Sequence, residues 1–169
     1  MNESPDSARN KNPGTIKLIG IGQSLRGDDA AGLAAVRFWQ EKYQANSAYP
    51  NLQVELADLP GIGLLSLLEG SRLVILVDAV HSGGKAGTIH LLSSDQLESF
   101  TLGSASAHGW GVAETLSLGQ RLMPGSMPDK LILIGIETGE LSLGAPLSLE
   151  VEQALPEVAR LIEQLITNG

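Results

Sequence analysis

The chain contains no cysteine, no long apolar run and no excess of basic residues. Without cysteine there are no disulfides, thiolate metal ligands or cysteine nucleophiles, so a metal site would have to use carboxylates and imidazoles. No apolar stretch reaches the roughly 18 residues that cross a bilayer, and the polar segment 1–14 lacks the apolar centre of a signal peptide. We therefore expect a cytoplasmic protein that does not contact a membrane.

The charge balance argues against nucleic acid as a partner. Nineteen acidic residues face eleven basic ones, giving a formal net charge of −8. No basic run is interleaved with aromatic residues, as nucleic-acid-binding surfaces require. Small molecules and other proteins remain as candidate partners.

The length of 169 residues and a hydrophobic content of 43% are typical of one globular domain with a single substantial core. Residues 1–14 are polar and without periodicity, which predicts a disordered leader. The domain should then occupy residues 15–169, and we expect it to be a monomer.

Five apolar segments predict strands, and three amphipathic segments predict helices. The strands are expected at 15–22, 51–57, 72–80, 87–92 and 130–137, and the helices at 29–44, 111–123 and 147–166. Trp39 is expected in the core, segment 93–107 is expected to be a polar connection, and Pro156 should kink or split the last helix.

Only six residues separate the third strand from the fourth. A parallel crossover needs a dozen or more, so the fourth strand should run antiparallel to the third. The predicted fold class is α/β: one three-layer domain with a mostly parallel twisted sheet of about five strands, one of them antiparallel, and helices on both faces.

The most informative segment is 16–32, an apolar strand followed by a glycine-rich turn and the adjacent carboxylates Asp28 and Asp29. Two nucleotide-binding templates fail on it. The third glycine of a Rossmann fingerprint would fall on Leu25, and the Lys and Ser/Thr of a P-loop are replaced by the two aspartates. Two interpretations stay open: the aspartates cap the helix and complement its dipole, or they form a cation-binding or catalytic site.

Further polar groups are predicted at the same edge of the sheet, where α/β proteins bind ligands. Asp78 ends the third strand, Glu137 ends the fifth, and His108 precedes the helix at 111–123. Two carboxylates and one imidazole suit a divalent transition metal with open positions for water or substrate.

Other residues at this edge have weaker claims to a functional role. His81 is a rival third ligand, although its Ser/Gly-rich loop is equally typical of a surface loop. His90 alternates with apolar residues in a strand and is interpreted as structural. We favour an acceptor role for Glu137 over a ligand role, and a helix-capping role for Asp58 over a role in the site.

Five motifs, taken in order over about residues 15–166, resemble those of the nickel-iron hydrogenase maturation endopeptidases. They are Gly20-Ile-Gly-Gln-Ser-Leu-Arg-Gly-Asp-Asp-Ala-Ala-Gly32, Val77-Asp-Ala-Val80, Gly84-Lys-Ala-Gly87-Thr-Ile, Ser106-Ala-His108-Gly-Trp-Gly111-Val and Leu133-Ile-Gly-Ile-Glu137.

The resemblance implies an endopeptidase of aspartic or metal-dependent type, which removes the C-terminal extension of the hydrogenase large-subunit precursor after nickel insertion. It implies that Asp29, Asp78 and His108 are the catalytic and metal-contacting residues. It further implies that the nickel is supplied by the precursor rather than permanently bound.

The sequence departs from the family pattern in two places: Gln23 replaces the usual Asn, and Asp58-Leu-Pro-Gly61 replaces Asp-Gly-Gly-Thr. An alternative function is a non-catalytic factor that checks for nickel in the same precursor. A serine triad is disfavoured because no Gly-x-Ser-x-Gly elbow occurs, and a nucleotide-binding oxidoreductase is disfavoured by Leu25 and the aspartate pair.

Overall fold

The computed structural model describes residues 14–46, 49–58, 60–101 and 111–169. Within them, five strands form one sheet in the order β2-β1-β3-β5-β4. The strands are β1 Thr15–Gly22, β2 Leu52–Asp58, β3 Ser71–Val80, β4 Ile89–Ser93 and β5 Lys130–Glu137. Apart from Gly14, the predicted leader lies outside the described residues.

The strand directions confirm a mostly parallel sheet. β1, β2, β3 and β5 are parallel, and β4 runs antiparallel to β5. The prediction that β4 runs opposite to β3 is therefore correct, but the two strands are not neighbours. β5 lies between them, and all its residues after Lys130 are buried.

Helices cover both faces of the sheet. They are α1 Ala31–Tyr43, α2 Leu64–Leu68, α3 Ser94–Thr101, α4 Val112–Leu122 and α5 Leu149–Asn168. One core cluster joins α1 and α5 to one face, with Trp39 fully buried as predicted. The second cluster joins α2, α3 and α4 to the opposite face. The three-layer α/β prediction is confirmed.

The prediction for segment 93–107 was wrong, and α5 is not split at Pro156. Segment 93–107 was expected to be a polar connection, but α3 begins at Ser94. The Gln96 side chain accepts hydrogen bonds from the Ser93 backbone and hydroxyl at the start of this helix. Leu97 is buried in the second core and attaches the helix to the sheet. α5 also continues through Pro156, because Leu155 and Val158 on either side pack into the first core while Pro156 itself is exposed.

The close approach of α1 to the sheet places the start of that helix over the strand ends. A Cβ atom at Gly32 would overlap the carbonyl oxygens of Val77 in β3 and Ile21 in β1. Only glycine allows this packing. The turn that joins β1 to α1 is thereby held above the carboxyl ends of the two central strands.

No helix in the described part of the chain combines the length and the apolar character needed to cross a membrane.

Candidate active site

The turn after β1 is a compact structure in which the glycines serve geometry. The Gln23 amide donates to the Asp29 carbonyl oxygen over 3.1 Å, and the Asp29 amide donates to Arg26. Gly27 has a φ of 53°, and a Cβ atom there would overlap the carbonyl oxygen of Glu140. This glycine-rich turn therefore tightens the chain around Asp28 and Asp29 and does not cradle a phosphate.

Asp28 is a structural anchor with no exposed surface. Its carboxylate accepts hydrogen bonds from the amides of Gly139, Glu140 and Ser148, at 2.6 to 2.9 Å, and from the Ser148 hydroxyl. Burial raises the pKa of Asp28, but the hydrogen bonds outweigh burial and hold the pKa below its usual value.

This arrangement corrects the interpretation of Asp28 as a cap of its own helix. The one-turn 3-10 helix Gly27–Ala30 has no side-chain cap, and neither does α1. The Asp28 carboxylate instead ties the turn to the segment between β5 and α5. Sequence analysis missed this tie, because it joins residues more than 110 positions apart.

Asp29 and Asp78 are brought to the same edge of the sheet. Asp29 is 4% exposed and follows β1, while Asp78 is partly buried near the end of β3, the strand next to β1. Burial raises the pKa of Asp78 to about 7; a hydrogen bond from the Ala79 amide opposes this rise, and the negative charge of Asp29 adds to it. The two carboxylates are thus close enough to interact electrostatically.

The third predicted site residue, His108, lies outside the described residues. Among those that are described, no group of three His, Asp or Glu side chains could hold a metal ion. The described part of the site is therefore the pair Asp29 and Asp78.

The other two histidines, His81 and His90, have defined contacts. His81 is exposed and its Nδ1 atom lies 3.2 Å from the Thr138 hydroxyl. His90 Nε2 lies 3.1 Å from a carboxylate oxygen of Glu137, consistent with its predicted structural role. Neither histidine is grouped with Asp29 and Asp78 as a metal ligand.

Glu137 acts as an acceptor, as favoured from the sequence, and it has no exposed surface. Its carboxylate accepts from the amides of Ser82, Gly83 and Gly84, from the Ser82 hydroxyl and from His90. Burial raises the pKa of Glu137, but these hydrogen bonds outweigh it and hold the pKa below its usual value. Glu137 therefore organises the loop between β3 and β4.

Asp58 does not cap the short helix that follows it, contrary to the favoured prediction. The helical segment that follows Asp58 begins with the 3-10 turn Gly61–Gly63, which has Pro60 at its N-cap and no side-chain cap bond. Asp58 is the last residue of β2, and its carboxylate accepts a 2.7 Å hydrogen bond from the Ser24 hydroxyl in the turn after β1. The contact of Ser24 with Asp58 was not predicted, because only the position of Ser24 in the same turn as Asp29 marks it in the sequence.

The chain is similar to proteins of hydrogenase maturation. The model of the HycI family, described as hydrogenase maturation protease, matches residues 40–165. The hydrogenase expression/formation protein HoxM of Azotobacter vinelandii is 31% identical over 149 residues, covering 83% of this chain and 68% of the relative. The hydrogenase 2 maturation protease of Escherichia coli K12 is 28% identical over 156 residues, covering 88% and 91%.

Solved structures show the same fold. The hydrogenase maturating endopeptidase HybD of Escherichia coli superposes with a TM-score of 0.79 at 22% identity, covering 91% of this chain and 93% of that one. The NiFe hydrogenase maturation protease HybD of Thermococcus kodakarensis gives a TM-score of 0.68 at 25% identity, covering 90% and 99%. Since the family model spans most of the sheet and helices as well, this chain belongs to the hydrogenase maturation protease family.

Proposed function

We propose that this protein is an endopeptidase that removes the C-terminal extension of a nickel-iron hydrogenase large-subunit precursor after nickel insertion. The nickel is held by the precursor, and Asp29, Asp78 and His108 contact it. The reaction takes place in the cytoplasm and the enzyme acts as a monomer. The observation that supports the proposal most directly is the carboxylate pair Asp29 and Asp78 at the sheet edge of a family member.

The chemistry of the pair suits contact with a divalent cation. The pKa of Asp78 is raised to about 7 by burial and, to a smaller extent, by the negative charge of Asp29. A divalent cation in contact with Asp78 would favour its ionised form. Carboxylate and imidazole donors are compatible with nickel, and nickel bound near the scissile bond could polarise its carbonyl group or a water molecule.

The test is a cleavage assay with nickel-loaded and nickel-free precursor, read as shortening of the large subunit by mass spectrometry. We expect the wild-type protein to shorten only the nickel-loaded precursor. Binding of this precursor without shortening would favour the non-catalytic checking factor. Efficient cutting of nickel-free precursor would contradict the proposed use of nickel.

The same assay tests Asp78 and His108. Asp78→Ala and His108→Ala should each abolish shortening while the far-ultraviolet circular dichroism remains that of the wild type. Glu69→Gln is a matched control. Glu69 is an exposed acid that precedes β3, so it lies at the ends of the strands opposite the candidate site. A site variant that cuts at the wild-type rate removes its residue from the site.

A further inference from the structure

Two leucines near the candidate site are exposed to an unusual degree. Leu25, in the turn after β1, is 70% exposed, and Leu143, in the segment between β5 and α5, is 80% exposed. Their segments are joined directly, because the Gly144 amide donates to the Leu25 carbonyl oxygen over 2.8 Å. The backbones that carry these two exposed leucines come from distant parts of the sequence and meet at this hydrogen bond.

Hydrogen bonds on either side of the two leucines fix the backbone of both segments. Arg26 Nε donates to the Leu141 carbonyl oxygen over 3.1 Å, and the Asp28 amide donates to that of Glu140 over 2.7 Å. The buried Asp28 carboxylate adds its own bonds to the same segment. These bonds on either side of the leucines fix the backbone positions from which the two side chains project.

Charged groups of both signs lie near the leucines: Arg26 is half-buried and bound to the Leu141 carbonyl oxygen, whereas the exposed charges are acidic. Glu140 is exposed and lies in the Leu143 segment, and Asp58 is exposed and hydrogen-bonded to Ser24, the neighbour of Leu25. The turn that carries Leu25 also carries Asp29. A binding partner that reaches Asp29 would therefore meet an apolar surface bordered by negative charge.

From this arrangement, we propose that Leu25 and Leu143 form a docking surface for the hydrogenase large-subunit precursor. The surface takes an apolar side chain of the precursor, with a lysine or arginine beside it facing Glu140 and Asp58. This inference rests on the proposed function for the identity of the partner. It adds the location of a second contact with that partner, apart from the residues proposed to contact the nickel.

A second copy of this chain is a poorer occupant. Two leucines supply only a small part of the roughly 800 Å² per partner that a stable interface buries. The acidic groups around them would also face the same acidic groups of an identical partner across a two-fold interface. A precursor that also binds through its nickel needs only such a small additional contact.

The test measures the affinity of the intact protein for the nickel-loaded precursor by biolayer interferometry. We expect the double variant Leu25→Ser, Leu143→Ser to bind at least about tenfold more weakly, as loss of two buried leucine contacts implies. Leu122→Ser is the matched control: Leu122 is 69% exposed and ends α4 before β5 begins, at the opposite edge of the sheet. It should bind within about twofold of the wild type.

The proposed contact between the acidic groups and a basic residue of the precursor is tested with Glu140→Gln. This variant keeps the acceptor oxygen for the Ser142 amide but removes the charge. It should weaken binding about threefold at low salt and little at high salt, whereas Glu69→Gln should change neither. The melting temperature of each variant, measured alongside, should match the wild type.

The outcomes separate this inference from the proposed function. A wild-type protein that binds the precursor without cutting it, while the leucine variant binds weakly, overturns the endopeptidase function and leaves the docking surface standing. A leucine variant that binds as tightly as the wild type overturns the docking surface alone. A wild-type protein that does not bind, or a dimer that the leucine substitutions dissociate in sedimentation velocity, also overturns it.

Discussion

Asp28 and Asp29 are adjacent in sequence, and we propose that they have different roles. Both oxygens of the Asp28 carboxylate accept hydrogen bonds, Oδ1 from the Ser148 amide and Oδ2 from Gly139, Glu140 and the Ser148 hydroxyl. An asparagine would have to turn its NH₂ group toward one of these donors. Asp28→Asn should therefore lower the free energy of unfolding by about 2–3 kcal/mol, measured by urea denaturation.

Cleavage should distinguish the two aspartates. Asp28→Asn should still shorten nickel-loaded precursor at a temperature where the variant is folded, with a loss of no more than a few-fold. Asp29→Asn should stop the reaction, because the amide removes the charge that we propose contacts the nickel. Equal losses of activity in two folded variants would mean that the roles are assigned wrongly.

Asp78 makes the stability of the free protein depend on pH. Its pKa of about 7 in the folded protein lies above the ordinary value of 3.8, so the folded state binds more protons between these values. The contribution of Asp78 to the free energy of unfolding should therefore fall as the pH rises from about 4 to about 7.

Asp78→Asn removes this dependence. The variant should match the wild type near pH 4 and exceed it by about 2 kcal/mol at pH 8, roughly half of a full conversion at ~1.4 kcal/mol per pKa unit because the group is only partly buried. Urea denaturation of both proteins at the two pH values measures the difference. A difference that stays constant with pH would show that Asp78 titrates normally.

At the scale of elements, the packing of α1 against β1 and β3 depends on Gly32. A methyl group there would meet the Val77 and Ile21 carbonyl oxygens, which belong to central strands and cannot move away. Gly32→Ala should lower the free energy of unfolding by about 3 kcal/mol and also weaken cleavage, since α1 carries the Asp29 turn.

Gly63→Ala provides the control for this substitution. Gly63 has no heavy atom near its would-be Cβ position, and its φ of −60° suits any residue. Thermal unfolding of both variants gives the comparison. Equal melting temperatures would mean that the helix can shift away from the sheet at little cost.

The elements that the sequence predicted correctly are those with a continuous local signal. β5 and β1 were predicted with their observed bounds because each is a mostly aliphatic segment. α3 was missed because apolar residues are few in its segment, where Leu97 is buried. The position of β5 between β3 and β4 was not predicted, because pairing partners depend on burial of the whole sheet.

The site residues were likewise predicted only where the local sequence marks them. Topology placed Asp29 and Asp78 at one edge, since each directly follows or ends a central strand. The contacts of Asp58 with Ser24, and of Asp28 with Ser148, were not predicted. They join residues 34 and 120 positions apart, and nothing local marks either pair.

At the scale of the whole molecule, the chain has no cysteine and hence no thiolate to hold nickel. We expect the free protein to bind nickel weakly, so that 0.1 mM nickel raises the free energy of unfolding by less than ~0.5 kcal/mol. Thermal unfolding with and without nickel measures this, with Asp78→Ala as the control. Metal that stays bound in stoichiometric amount after dialysis would show a resident cofactor instead.

The anchoring of the Asp29 turn also bears on synthesis of the protein. The turn lies in the first fifth of the chain, but the donors that satisfy Asp28 belong to Gly139, Glu140 and Ser148. A growing chain on the ribosome therefore carries both site carboxylates long before it can hold the first of them in place. The enzyme becomes able to recognise a precursor only when its own last strand and the segment after it have been made.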